Sequence, residues 1–365
     1  MRNLGGKKIL IVGDYMWGWY QEACAKALEL LGCNVNRFGW FEDFRFFIKG
    51  VSEPIYHSIW HRIEYRLSYG PIVWSINHRL ISQSKKIKPD IIWFYNVTLI
   101  SPRTLKKLRI SLPDTVFVQY SNDNPFSKNA KSSIWRNYIN NIRYFDIHFA
   151  FRKSNLIDYK KYGSRNTFIL MPYFIPQVDY PEPYDTIPNN FKCDVVFAGH
   201  YEDDGRVEML EAICKQGFDL KIFGGGWSPL QDKLSPNSPL HSFFPISPAI
   251  GNEYRYAISG AKVALCFLST LNEDTYTRRN FQIPAMKTVI LSQYTDELAH
   301  FFTPDVEALF FNNLQELLIK LNYILTNEDQ RIKIAQAGYE RVYMDGHDVN
   351  SRMKNWLNLV LLNLK

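Results

Sequence analysis

"CDVVFAGHYEDDGRVEMLEAICKQGFDLKIFGGGW", residues 193–227, changes its hydrophobic period twice. Val195–Ala198 is an unbroken apolar run, as in a strand covered on both faces. From Arg206 the apolar residues recur at helical spacing, and "DLKIF" returns to a strand signal before Gly224, Gly225 and Gly226. Strand, loop, helix, strand and glycine-rich turn make a βαβ unit, which requires a parallel sheet. "AKVALCFLS" and "KTVILSQY" continue the pattern downstream, followed by helices expected over 314–326, 328–342 and 347–364.

The same alternation occurs at the other end of the chain. "KKILIVGD" reads as a buried first strand. "WYQEACAKALELLGCNV" follows with Ala23, Ala27, Leu30 and Leu31 on one helical face and Gly32 as its stop. "KPDIIWFYN", "DTVFVQYSND", "YFDIHFAF" and "NTFILMPYF" repeat the strand signal. Between the two α/β patterns lies "MPYFIPQVDYPEPYDTIPNN", with five prolines, which reads as an extended linker. A chain of 365 residues exceeds what one core usually organises. The fold class expected is therefore α/β, with two Rossmann-like doubly wound domains facing a cleft.

Composition limits the function. Apolar residues make 46% and charged residues 22%, which is globular. The net charge of +7 favours an anionic partner. No helix-turn-helix, RNP or zinc motif supports nucleic-acid binding, so no nucleic-acid partner is expected. The five cysteines are scattered without a Cys-x-x-Cys pair, which fits buried thiols in a reducing compartment. The basic start of the chain leads into a short strand-like run rather than a signal peptide, and no segment has the length of a membrane span. A cytoplasmic location is expected, with membrane-peripheral contact as the alternative. Trp60, Tyr65 and Trp74 lie in the basic, aromatic stretch "PIYHSIWHRIEYRLSYGPIVWSINHRL", placed to stack on sugars, rest at a lipid surface or form an amphipathic helical hairpin.

Candidate ligand-binding residues gather after strands. "VGDYMWGWY" does not fit the dinucleotide fingerprint, because Tyr15, Met16 and Trp17 block close backbone approach between Gly13 and Gly18. Tyr15 and Trp17 instead suggest a cleft wall. Gly199, His200 and Arg206 read as a phosphate-binding turn, and Gly224, Gly225, Gly226 and Trp227 as a surface for a flat base. In "NEDTYTRRNFQIPAMKTVILS", residues 272–292, Arg278 and Arg279 meet an apolar segment at a helix start. That placement suits a diphosphate, with Asp274 on a sugar and Gln282 on ribose hydroxyls. "QYSNDNPF" sets Asn122, Asp123 and Asn124 at a strand end, where Asp123 can act as base or close an Asx-turn.

The stretch "YTRRNFQIPAMKTVILSQYTDELAHFFTPDVEALFFNNLQELLIKL" resembles the C-terminal half of CgeB-like, spore-maturation-type glycosyltransferases of the group 1, GT-B superfamily. "RNFQIPA", residues 279–285, matches their Arg-x-Phe-Glu-x-x-Ala with Gln for Glu. "FAGHYEDDGR", "FGGGW" and "GHDVNSRMKNWL" are similar to further landmarks, as are "KPDIIWFYN" and "QYSNDNPF" more weakly. The resemblance implies a GT-B fold: residues 1–172 as acceptor domain, 173–190 as linker, 191–346 as donor domain and 347–365 as a helix crossing back. It implies transfer from a nucleotide-diphosphate sugar to a glycan, lipid-linked or protein acceptor, retaining, with no metal and no other cofactor. The donor set would be Gly199, His200, Arg206, Gly224, Gly225, Gly226, Trp227, Tyr276, Arg278, Arg279, Asn280 and Gln282. The acceptor set would be Tyr15, Trp17, Asn122 and Asn124, and the catalytic carboxylates Asp274 and Asp123. Asp274 and Gln282 stand where the superfamily carries glutamates, which leaves a catalytically degenerate nucleotide-binding scaffold as the alternative, ahead of a nucleic-acid-binding protein, which the charge and aromatic content permit.

Overall fold

The computed structural model describes residues 5–48, 54–130 and 132–363. The basic first residues, and the end of the expected 347–365 helix, lie outside them. The chain divides into two compact units, Met1–Pro172 with Val349–Lys365, and Tyr173–Asp348.

Unit 1 is built on β1 (Lys8–Gly13), β2 (Asn34–Gly39), β3 (Arg45–Phe46), β4 (Ile55–Tyr56), β5 (Ile91–Tyr95), β6 (Val116–Ser121), β7 (Ile147–Ala150) and β8 (Thr167–Ile169). Six of these form one sheet in the order β2-β1-β5-β6-β7-β8, every pair parallel. Its helices are α1 (Gln21–Leu30), α2 (Phe41–Phe44), α3 (Ile59–Leu67), α4 (Pro71–Ile87), α5 (Pro102–Ser111), α6 (Ser132–Asn141) and α7 (Asn155–Lys161). Every residue of β5 is buried, because helices cover both faces of the sheet and alternation has no solvent side to serve. Gly32 ends α1 at φ +83°, a conformation that costs glycine least. The strands turn back between β1 and β5: the chain builds outward to β2, then returns to the other side of β1.

Unit 2 contains β9 (Cys193–Ala198), β10 (Leu220–Phe223), β11 (Ala261–Cys266), β12 (Val289–Gln293) and β13 (Leu309–Phe311). They form a parallel sheet ordered β10-β9-β11-β12-β13, so its switch point lies between β9 and β11. The helices are α8 (Arg206–Lys215), α9 (Ser228–Gln231), α10 (Asn252–Ser259), α11 (Arg279–Ala285), α12 (Asp296–Phe301), α13 (Leu314–Thr326) and α14 (Glu328–Met344). Asn313 caps α13 through its side chain, which fixes the start that the periodicity places there.

Two expectations are corrected. The proline-rich run does not form a separate linker: from Tyr173 it belongs to unit 2, where Phe174 pairs with Asp348 and Asp179 is 1% exposed. Proline removes ladder donors but leaves other residues able to anchor the segment through side chains. The last helix, α15 (Val349–Leu362), starts after His347, whose ring stacks on Phe281 at 4.4 Å within unit 2.

α15 packs on α1 and closes the core of unit 1. Its Met353, Trp356, Leu357 and Val360 are buried, and the Trp356 indole stacks on Trp93 of β5 at 4.4 Å with 28° between planes. Trp356→Ala removes the largest side chain at that contact. The variant is expected to lose about 3–5 kcal/mol of stability in chemical denaturation; a loss within error of zero would show that α15 is not part of the core.

Candidate functional site

In open α/β sheets, ligands bind outside the carboxyl ends of strands at the switch point. In unit 2 that point is occupied by Arg279. Its Nη1 donates to the carbonyl of Ala198, the last residue of β9, at 3.2 Å, and its Nη2 to the carbonyl of Phe267, just beyond β11, at 3.3 Å. The guanidinium therefore bridges the two strand ends. Gly199 leaves room for it, since a Cβ there would overlap Nη1. Nε is buried without a hydrogen-bond partner, and no carboxylate among the described residues pairs with this arginine.

The other two arginines singled out by the sequence are neutralised within the protein. Arg206 is held by both oxygens of Asp204, with Nε to Oδ1 at 2.6 Å, and by the His200 carbonyl. Its side chain is 1% exposed, so it braces the β9–α8 loop instead of facing a ligand. Arg278 donates from Nε to the Tyr173 carbonyl at 3.1 Å and pairs with Asp179 at 3.3 Å. Asp179 also accepts from Gln282 Nε2 at 2.8 Å and from the Ile175 amide at 2.7 Å. Gln282 is buried, its amide nitrogen directed at Asp179 and not at a ribose. The start of α11 offers little to a phosphate beyond the Arg279 side chain. The helix has seven residues, and the amides of its second to fourth residues are taken: Asn280 by the Thr277 carbonyl, Phe281 and Gln282 by that of Arg278.

Two loops meet beside Arg279. Gly199 donates to the Phe223 carbonyl at 2.8 Å, and Tyr201 to that of Gly225 at 3.1 Å. Gly224, at φ +154°, approaches so closely that any Cβ would overlap the Gly199 carbonyl oxygen. Trp227 is not a surface for a base: it is buried in the core, and its Nε1 donates to that same oxygen at 3.0 Å. Tyr276 and Asn280 are likewise interior; Asn280 Nδ2 donates to Ser292 Oγ at 3.0 Å, and its Oδ1 accepts from the Thr277 amide at 2.8 Å. His200 is exposed at the loop mouth, as is Gly226. Asp274 lines a recess of about 440 Å³ at the ends of β11, β12 and β13 with Ser269, Thr270, Glu273, Gln293 and Asn312. Ser269 Oγ donates to Glu202 at 2.9 Å, joining this wall to the β9–α8 loop.

In unit 1, Asp123 follows β6 and accepts from Asn96 Nδ2 at 3.1 Å, where Asn96 follows β5 at φ +54°. Asn122 accepts on its carbonyl from Arg152 at 3.1 Å and keeps a buried Oδ1 with no hydrogen-bond partner. Asn124, not Asp123, makes the Asx-turn: its Oδ1 accepts from the Phe126 amide at 3.1 Å and from Asn155 at 3.0 Å, leaving it buried. Tyr15, at φ +61°, folds back to hydrogen-bond the Ile11 carbonyl at 3.3 Å. Trp17 stacks on Trp19 at 4.7 Å and remains partly exposed.

Three residues escaped the sequence reading. Asp14, at the end of β1, pairs with Arg45 and accepts from Tyr65 at 3.3 Å, while its Oδ1 has no partner; burial pushes its carboxyl up, against the pull of Arg45. Tyr254 of α10 holds a buried hydroxyl without a partner; burial pushes its phenol up, with Arg279 opposing. Asp179 is the third, and its only signal is an acid in an apolar, proline-rich run.

A family model described as "Glycosyl transferase-like" matches residues 206–358. No curated protein matches. Solved structures similar to the whole chain include a sucrose-phosphate synthase from Thermosynechococcus elongatus, at 12% identity and a TM-score of 0.68, covering 98% of this chain and 99% of that one. A glycosyltransferase from Rickettsia africae aligns at 15% identity and 0.66, covering 98% and 99%. HepE from Anabaena, in complex with UDP-glucose, aligns at 12% and 0.67, covering 98% and 100%. The chain has the GT-B fold of these proteins.

Gln282→Glu tests the buried contact with Asp179. Two carboxylates would then share one site with only Arg278 to answer them, raising the pKa of one in the folded chain. Stability is expected to fall by about 1–3 kcal/mol at neutral pH. A raised folded pKa contributes stability that is complete below the unfolded value, about 4, and lost as pH rises through the folded one. The deficit should therefore shrink on acidification. A deficit independent of pH in parallel urea melts would show that Gln282 and Asp179 are not in contact.

Proposed function

We propose that the chain is a glycosyltransferase that uses a nucleoside-diphosphate sugar as donor, bound at the switch point of unit 2. The observation that carries this reading is Arg279, a partly buried guanidinium between two strand ends, held by the carbonyls of Ala198 and Phe267 and paired with no carboxylate among the described residues. Buried charge is ordinarily paired. A diphosphate supplies the missing charge, and Arg279 then stabilises the negative charge that develops on the leaving group. The glycine contact between Gly199 and Gly224 lets backbone approach the same ligand, and Asp274 is offered to the donor sugar. Similar structures that bind UDP-glucose or UDP support a uridine nucleotide as the first donor to try.

The acceptor, a hydroxyl on a glycan, lipid-linked or protein substrate, is assigned to unit 1. There Asp123 and the unpartnered oxygen of Asn122 stand at the end of β6. Glycosyl transfer breaks the bond from the anomeric carbon to the diphosphate and forms one to the acceptor oxygen. The acceptor proton passes to a base, for which Asp123 is the choice. Retention of configuration, independence of metal and kinship with the CgeB-like group follow from the resemblance around "RNFQIPA". The second reading, a scaffold that binds nucleotide without turnover, is favoured by the engagement of Gln282 with Asp179.

A thermal-shift panel of UDP, GDP, ADP, CMP and dTDP is expected to show stabilisation by at least one diphosphate, because a ligand of the native state raises Tm by mass action. Arg279→Ala should reduce that shift. No shift with any of them would overturn the assignment. Donor hydrolysis that persists in EDTA supports the metal-free enzyme, and binding without hydrolysis supports the scaffold. Proton NMR of the product anomer reports retention.

A further inference from the structure

Unit 1 exposes apolar side chains on one local structure. β3 and β4 form a short antiparallel pair, Arg45 opposite Tyr56 and Phe46 opposite Ile55, and α3 follows with Ser58 as its cap. No side chain of α3 is fully buried. His61 and Tyr65 turn toward Phe44, at ring separations of 6.4 and 5.2 Å. That leaves Ile59, Trp60, Ile63 and Leu67 outward, with Trp60 70% exposed. Tyr69 and Trp74 continue the surface, edge to face at 5.4 Å. His57 links it to the hairpin through Phe46, at 5.0 Å.

The charges on this surface are mainly positive. Arg62 and Arg66 are exposed on the same helix and pair with no carboxylate among the described residues. Arg136, also exposed, donates to the Leu67 carbonyl at 3.3 Å, which sets it at the end of α3. Glu64 is turned away to accept from the Ile72 amide at 3.0 Å, and Asp43 is paired with Arg79. Among the described residues, Glu42 is the exposed carboxylate that remains near the hairpin.

We propose that this face of unit 1 docks on a bilayer surface containing anionic lipid. Tryptophan, isoleucine and leucine on one side of a helix, flanked by arginine, are the composition of an element that lies in the membrane interface. At nine residues, α3 is far too short to span a bilayer. A second copy of the chain fits less well, since a two-fold contact through this face would set the arginines of one copy against those of the other. The proposal is independent of the donor site.

The test is co-sedimentation of the full chain with vesicles of phosphatidylcholine, alone or mixed with phosphatidylglycerol. Binding is expected to be at least about tenfold stronger to the mixed vesicles and to weaken with salt. Arg62→Ala with Arg66→Ala should weaken it about tenfold. Trp60→Ser with Leu67→Ser should abolish it, while Ile110→Ser, a change at an 82% exposed site on α5, leaves it intact. All these side chains are at the surface, so melting temperatures should match the parent. No binding, binding indifferent to anionic lipid, or equal binding by the paired variants would overturn the proposal. So would sedimentation velocity showing a dimer that Trp60→Ser with Leu67→Ser dissociates.

Discussion

A guanidinium removed from water has to be answered by oxygen, and how this is done differs among the arginines of unit 2. Arg206 meets a carboxylate in the fork geometry that suits it best. Arg278 meets Asp179, which reaches it from the segment just after the unit boundary and fixes that segment onto α11. Arg279 meets carbonyls at the ends of β9 and β11, whose partial charges satisfy hydrogen bonds without cancelling a net charge. The parallel topology creates this arrangement. It brings two strand ends together with no direct connection between them, and the first residue of α11 fills the gap.

The alternation of strand and helix was legible because it is local. β1, β9 and α13 stand where period and turn residues place them. The glycine run after β10 was legible as a special turn, but the packing of Gly224 against the Gly199 carbonyl was not. What was not legible depended on distant partners. Asp179 and Gln282 are 103 residues apart, and neither carries a local sign of the other. Trp227 looks like a base-stacking ring until the indole is seen to be buried and bonded to the Gly199 carbonyl. "RRNFQ" drew attention to two adjacent arginines, but spacing alone could not say which of them is already paired.

Unit 1 presents a different balance. Its core is closed by α15 from the far end of the chain, and the contact between Trp93 and Trp356 makes that closure specific. Its surface at α3 is the reverse, a helix with exposed apolar residues that no described residue covers. An apolar face that costs solubility persists where something apolar covers it in use.

The central claim is that Arg279 answers a diphosphate. The direct measurement is calorimetric: affinities of a nucleoside diphosphate and of its parent nucleoside for the protein and for Arg279→Ala. Affinity for the nucleoside should be unchanged, while the preference for the diphosphate falls by about 1.5–3 kcal/mol, the scale of a hydrogen bond to a charged group. An undiminished preference for the diphosphate in a variant that melts like the parent would contradict the account.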